Sequence, residues 1–293
     1  MAHEQDLHDR GLGFDLETLL GRRRALKLLA GAGLLTLAGC AGSRTHESSG
    51  TSSSTATTTS GTGASTTATT AAGSAGSTGS ATDCTSAIPE ETGGPYPADG
   101  TNGPNVLRQS GIVRSDIRSS FTASTGTAKG VPLTINLTIL NKNKNCAALS
   151  NAAVYVWHCN QDGLYSLYSQ GVRDQNYLRG VQTTDKNGRV TFQSIFPACY
   201  SGRWPHIHYE VYPSLSKATT ASGKIATSQI ALPEDTCRLV FATDGYRSSL
   251  SNLSRVTLAT DSVFGDGYSR ELGTMGGSVA KGFTVELSVP VSA

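Results

Sequence analysis

Charge is thin in this sequence, and long apolar runs are missing from it. Only 16% of the 293 residues are Asp, Glu, Lys or Arg, and the formal net charge is +2. So small a surplus, with no basic stripe interleaved with aromatics, excludes nucleic acid as the main partner. Sustained helical periodicity is absent beyond residue 84, which argues against a helical bundle. The apolar run at 28–38 is too short to cross a bilayer as a helix. No internal repeat is present, so a repeat architecture is not expected.

What is present begins with targeting signals. Arg22-Arg23-Arg24-Ala25-Leu26-Lys27 has a twin-arginine pattern, and the short apolar run after it ends in Leu37-Ala38-Gly39-Cys40, which resembles a lipobox. Residues 1–40 therefore read as a twin-arginine lipoprotein-type signal segment, with Cys40 as the lipid-bearing residue. Contact with a membrane is expected through that lipid only, on the outer side of the cell. Residues 41–83 are almost entirely Ser, Thr, Gly and Ala. Such a stretch buries too little apolar surface to offset its ordering entropy, and it reads as a flexible linker.

Residues 84–293 carry the expected folded domain. Leu133, Ile135, Leu137 and Ile139 alternate with polar residues. Similar two-residue patterns occur at 154–157, 190–192, 206–211 and 283–289. Alternation bounded by Gly, Asn, Asp and Pro predicts half-buried antiparallel strands, and with 33 glycines for turns the expected class is an all-β antiparallel sandwich with long connecting loops. A short helix is expected near 252–260.

Chemistry concentrates in three segments. In Arg203-Trp204-Pro205-His206-Ile207-His208, residues two apart on a strand share a face, so His206 and His208 become neighbouring imidazoles able to share a metal. A lone His-x-His is more often an ordinary pair of strand residues. The second segment runs from Trp157 through a glycine turn to Tyr165. The third ends the strand at 190–195 with Phe196-Pro197-Ala198-Cys199-Tyr200. Each tyrosine alone would pass for a sheet aromatic.

In order, however, Trp157-His158-x-Asn160-x-x-Gly163-x-Tyr165-Ser166, Leu178-Arg179-Gly180, Thr184-Asp185-x-x-Gly188-Arg189, Pro197-x-x-Tyr200 and Arg203-x-x-His206-Ile207-His208 resemble the intradiol ring-cleavage dioxygenases. Pro89-Glu90-Glu91-Thr92-x-Gly94-Pro95-Tyr96 resembles that family's N-terminal lead-in. The resemblance implies one non-haem Fe(III) per chain, held by Tyr165, Tyr200, His206 and His208. It implies Arg203 and Tyr200 as catalytic residues and Gln229, Tyr96 and Pro95 as substrate neighbours. The implied partners are a catechol-type substrate and O2, with the ring cut between its two hydroxylated carbons to give a cis,cis-muconate-type diacid. Two phenolates and two neutral imidazoles suit a hard trivalent ion, and zinc alone would have little need of two tyrosines. The pattern departs from the family where Trp204-Pro205 follow Arg203 and where the stretch from Tyr200 to His206 is very short. The family's helical dimerisation region also has no counterpart, and a homo-oligomer is left open.

With Cys40 lipidated, five cysteines remain, an odd number: Cys84, Cys146, Cys159, Cys199 and Cys237. A Cys159–Cys199 bridge is one expectation, since both lie near the tyrosines in the chain. The alternative to an enzyme is a non-catalytic cell-surface β-sandwich that binds metal or aromatic compounds. Extradiol cleavage, with two histidines and a carboxylate on ferrous iron, fits the tyrosines poorly.

Overall fold

The computed structural model describes residues 84–293. Residues 1–83, with the expected signal segment, the expected linker and Cys40, lie outside the described residues. Among the described residues, nine strands form two sheets: β1 (Pro132–Asn141), β2 (Ala147–Ala148), β3 (Ala153–Trp157), β4 (Arg179–Thr183), β5 (Arg189–Ile195), β6 (His206–Tyr212), β7 (Ala226–Ala231), β8 (Thr274–Ser278) and β9 (Gly282–Val291). One sheet runs β2-β1-β9-β8, with β5 also paired to β1, and the other runs β4-β3-β6-β7. All pairings are antiparallel except β1 with β9. This is the all-β sandwich that the alternation predicts.

The core lies between the sheets. Leu133, Ile135, Leu137 and Ile139 of β1 face inward with Phe192 of β5 and Val285 of β9. They belong to one buried cluster with Val154, Val156, Ile207, Val211 and Ile230 of the other sheet. In β1 burial alternates as expected of a half-buried strand, but β3, β6 and β7 are buried at every position. The outer face of the four-stranded sheet is covered by loops, and the functional side chains lie under that cover.

Two helices, α1 (Glu234–Phe241) and α2 (Ser249–Leu253), follow β7. The helix expected at 252–260 is instead α2, which ends at Leu253, and residues 257–260 close a turn through hydrogen bonds between Thr257 and Thr260. Threonine hydroxyls that bond nearby backbone compete with helix continuation. Cys84 and Cys146 form a disulfide with Cα atoms 5.9 Å apart, tying the start of the domain to the turn before β2. Cys159, Cys199 and Cys237 are free and buried, so the expected Cys159–Cys199 bridge is not formed. Their thiols point to carbonyls instead, Cys159 to Ala198 and Cys199 to Arg203. Burial pushes both thiols up to about 12.

His158, just past β3, joins the two sheets. Its Nε2 lies 2.6 Å from Ser194 Oγ on β5, and its Nδ1 lies 2.8 Å from the Cys159 carbonyl. Burial, with a smaller contribution from the Arg179 charge, lowers its pKa to about 4 against the opposing Cys159 contact. An unfolded histidine titrates near 6.5, so the unfolded chain takes up the proton first as pH falls. The stability His158 contributes is therefore present above about pH 6.5 and lost towards pH 4. In urea titrations of the metal-free protein, His158→Gln should flatten this part of the stability profile. An unchanged slope would show that His158 does not set it.

Candidate metal centre

The site is built on one row of residues that crosses the whole four-stranded sheet. Register places Arg179 opposite Trp157, Trp157 opposite His208, and His208 opposite Gln229. Residues directly opposite one another share a face, so these four side chains stand side by side beneath the covering loops. The Trp157 and His208 rings stack with centroids 4.8 Å apart and planes 4° from parallel. His206 lies on the same face, one pleat further along β6. β3 ends at Trp157, so His206 has a neighbour only on β7, Ala231. The space beyond the end of β3 is where both tyrosines enter.

The chain leaves β3 through a tight turn. Asn160 Oδ1 accepts from the backbone of Asp162 and Leu164, and Gly163 adopts φ +81. A Cβ at Gly163 would stand 3.1 Å from the Cβ of Tyr200, so glycine serves both the turn and the close approach. The Asn160 carbonyl also accepts from Ala198 N, joining the Tyr165 turn to the loop that carries Tyr200. From Tyr200 the chain turns back through Gly202 at φ +85, which accounts for the short stretch before His206. Trp204 anchors there, its indole donating to the Leu232 carbonyl at 2.8 Å, while Leu232 N donates to the Pro205 carbonyl. The residues that depart from the family pattern thus fasten β6 to the end of β7.

Four polar atoms converge as a result. His206 Nε2 lies 3.1 Å from His208 Nε2, 3.3 Å from Tyr200 Oη and 3.5 Å from Tyr165 Oη. The His206 tautomer follows from its other nitrogen, which lies 2.5 Å from the Trp204 carbonyl. A carbonyl only accepts, so Nδ1 carries the proton and Nε2 presents a lone pair to the cluster. His208 Nδ1 is buried with no hydrogen-bond partner. Burial, and after it Arg203, lowers His206 to about 3, while burial and His206 together hold His208 well below the ordinary histidine range. Both imidazoles are neutral near pH 7, the form that binds metal. Burial raises the Tyr165 phenol well above its usual value, so a phenolate there requires a cation beside it.

The donor set fits a single first-row metal ion. Ligands about 2.1 Å from a common tetrahedral centre stand about 3.4 Å from each other, close to the three separations observed. Among the described residues, no group of three or more His, Cys, Asp or Glu is placed to hold a metal. The converging set is two histidines and two tyrosines.

Arg203 is buried beside this cluster. Its Nε donates to Asp261 Oδ2 at 3.0 Å, and one terminal nitrogen donates to Gln229 Oε1 at 2.8 Å. Gln229 Nε2 donates in turn to the Thr92 carbonyl at 2.9 Å, tying the row to the N-terminal strap over the site. Tyr96 packs its ring 4.9 Å from that of Tyr165, and the Pro95 carbonyl accepts from the Asn102 amide. All the sequence-derived site residues except Pro95 are thereby connected to the cluster through contacts observed in the structure.

Sequence reasoning quoted Arg179 without a role and missed Asp261 altogether. Arg179 uses all five of its N–H donors on Ser166 Oγ, the Ser166 carbonyl, Tyr155 Oη and the carbonyls of Tyr96 and Pro97. It thereby joins the Tyr165 loop to the Tyr96 strap. Around it Ala98, Leu167 and Leu178 all have positive φ, at 53°, 71° and 55°. Such backbone is strained outside glycine and persists where surrounding contacts enforce it.

A family model described as a dioxygenase matches residues 102–220, a span containing Tyr165, Tyr200, Arg203, His206 and His208. A chlorocatechol 1,2-dioxygenase of Rhodococcus opacus is 32% identical over 83 residues, 28% of this chain and 26% of that protein. The chain thus matches about a quarter of that relative's length. Among solved structures, an intradiol ring-cleavage dioxygenase from Tetranychus urticae superposes with a TM-score of 0.52 at 25% identity, covering 61% of this chain and 86% of that one. With fold and motif order in agreement, and the match spanning the residues that converge, this chain is similar to the intradiol ring-cleavage dioxygenases over that span.

Proposed function

We propose that Tyr165, Tyr200, His206 and His208 hold one ferric ion, and that the protein uses it to open catechol-type rings between the two hydroxylated carbons. Both atoms of O2 enter the product, a cis,cis-muconate-type diacid. The observation that carries this reading is the meeting of two buried, neutral imidazoles and two phenol oxygens around one point. When bound, ferric iron supplies a Lewis-acidic centre that takes both oxygens of a catechol and activates its ring towards O2.

The protein's own groups have distinct tasks. His206 presents an unprotonated Nε2, and His208, neutral and also held by β6, can turn its own Nε2 lone pair to the ion. Tyr165 is buried and fixed between the Tyr96 and Tyr200 rings, which suits a permanent anionic donor. Tyr200 is less buried, and as a phenolate displaced from the ion its Oη would take a proton from an incoming catechol hydroxyl. Arg203 sets a fixed positive charge where negative charge develops on the ring, a preorganised role that needs no reorientation during the reaction. The Trp157 face and Phe264 keep water from the enclosure.

Export and lipid anchoring through Cys40 belong to the same proposal. The Cys84–Cys146 disulfide supports them, because structural disulfides persist in oxidising compartments outside the cytoplasm.

The test is oxygen uptake by iron-loaded protein across a small panel of catechols, with product masses. Iron-loaded protein should be burgundy from tyrosinate-to-iron charge transfer, and 18O2 should place two labelled atoms in the diacid. Tyr165→Phe, His206→Ala and His208→Ala should each lose the colour and nearly all uptake. Arg203→Ala should keep the colour and turn over on the order of 10²–10³-fold more slowly. Colourless protein that binds zinc tightly and consumes no oxygen would instead support the non-catalytic binding sandwich.

A further inference from the structure

Asp261 lies in the loop after α2, 58 residues from Arg203 in the chain, yet its carboxylate is buried against that guanidinium. Oδ2 accepts from Arg203 Nε at 3.0 Å and from Trp204 N at 2.6 Å. Oδ1 accepts from Val263 N at 2.8 Å and Phe264 N at 3.1 Å. Four N–H donors fill the carboxylate's lone-pair sites, so it has no capacity left to meet a substrate. What it does have is leverage on two groups of the site.

The first is Arg203. With Nε gripped, the guanidinium is turned so that a terminal nitrogen reaches Gln229, and its carbon lies 5.9 Å from the Phe264 ring centroid. Phe264 is itself held by Asp261 through its backbone. The second is the Trp204 peptide, whose carbonyl accepts from His206 Nδ1 and so fixes that ring's tautomer. An arginine side chain has several rotatable bonds, and a charge useful for catalysis must not wander.

We propose that Asp261 is the positioning residue of this site, and that it acts by fixing the direction of the Arg203 guanidinium. The kinetic consequence rests on the proposed ring-cleavage reading, whereas the binding consequence does not. Loss of this grip leaves the guanidinium present but misdirected, at a cost on the order of 10²-fold in turnover.

A double-mutant cycle on the iron-loaded protein tests the proposal, using Asp261→Asn, Arg203→Ala and the combined variant. Readouts are kcat and KM by oxygen uptake, affinity for 4-nitrocatechol by absorbance, and rescue by added guanidinium chloride. Asp261→Asn should keep the visible colour, lower kcat more than it changes KM, and weaken 4-nitrocatechol binding. On the Arg203→Ala background the same change should alter each quantity less than about twofold, because residues acting as a unit are not additive. Guanidinium should restore turnover to Arg203→Ala but not to the combined variant, which lacks the carboxylate that would seat it. Equal losses on both backgrounds, or equal rescue, would overturn the proposal. Should Asp261→Asn fail to fold, Asp261→Glu keeps the charge while displacing the carboxylate, and the same cycle applies. If the wild-type protein consumes no oxygen with any catechol, the functional reading fails, and the 4-nitrocatechol cycle still decides the role of Asp261.

Discussion

The bare lone pair of His206 Nε2 lies 3.1 Å from His208 Nε2 in a buried site, and it must be met by an N–H or by a cation. Protonation is the ordinary remedy, but burial holds both histidines neutral. The Trp204 carbonyl fixes the His206 proton on Nδ1, so the partner left to His206 Nε2 is an N–H of the neutral His208 ring or a cation. A cation is the partner that both nitrogens can share, and the two phenol oxygens turned to the same point can supply the anionic charge that a trivalent ion needs. Most of what is distinctive in this structure serves to keep those four atoms together.

The scaffold does so with a sheet buried on both faces and with loops fastened across it. The end of β3 at Trp157 leaves the gap that the tyrosine loops fill, and the Asn160 carbonyl joins the two loops. Arg179 draws the Tyr165 loop and the Tyr96 strap onto the sheet, and the positive-φ residues Ala98, Leu167 and Leu178 surround it. Strain of that kind costs on the order of 1–3 kcal/mol per residue, and five hydrogen bonds from one buried guanidinium, which has no carboxylate among its observed partners, offset part of it. Arg203 is arranged differently, because its charge is paired with Asp261 and so held in one direction.

The sequence made some of this legible. β1, β5, β6 and β9 announce themselves by alternation, because each sets apolar residues at every second position. β7, Ala226-Thr-Ser-Gln-Ile-Ala, shows no such contrast, since both its faces are buried and its polar residues point into the site row or towards Glu271. The glycine-containing β8 is exposed along most of its length and carries little apolar signal. His206 and His208 follow from strand geometry, but Tyr165 and Tyr200 are visible only through the ordered motif that surrounds them. Asp261 carries no sequence signal, because its partners become neighbours only when the loop after α2 folds back. The bridge expected between Cys159 and Cys199 failed for the same reason in reverse. Closeness in the chain to two converging tyrosines does not aim two thiols at each other, and each finds a carbonyl instead.

The central claim is that one metal ion occupies the point where these four side chains meet. An anomalous difference map, collected on either side of the iron absorption edge from crystals of the iron-loaded protein, tests it most directly. The account predicts a single peak per chain, within bonding distance of Tyr165 Oη, Tyr200 Oη, His206 Nε2 and His208 Nε2. A map in which the iron lies elsewhere, or in which either phenol oxygen stands outside the coordination shell of the resting protein, would contradict it.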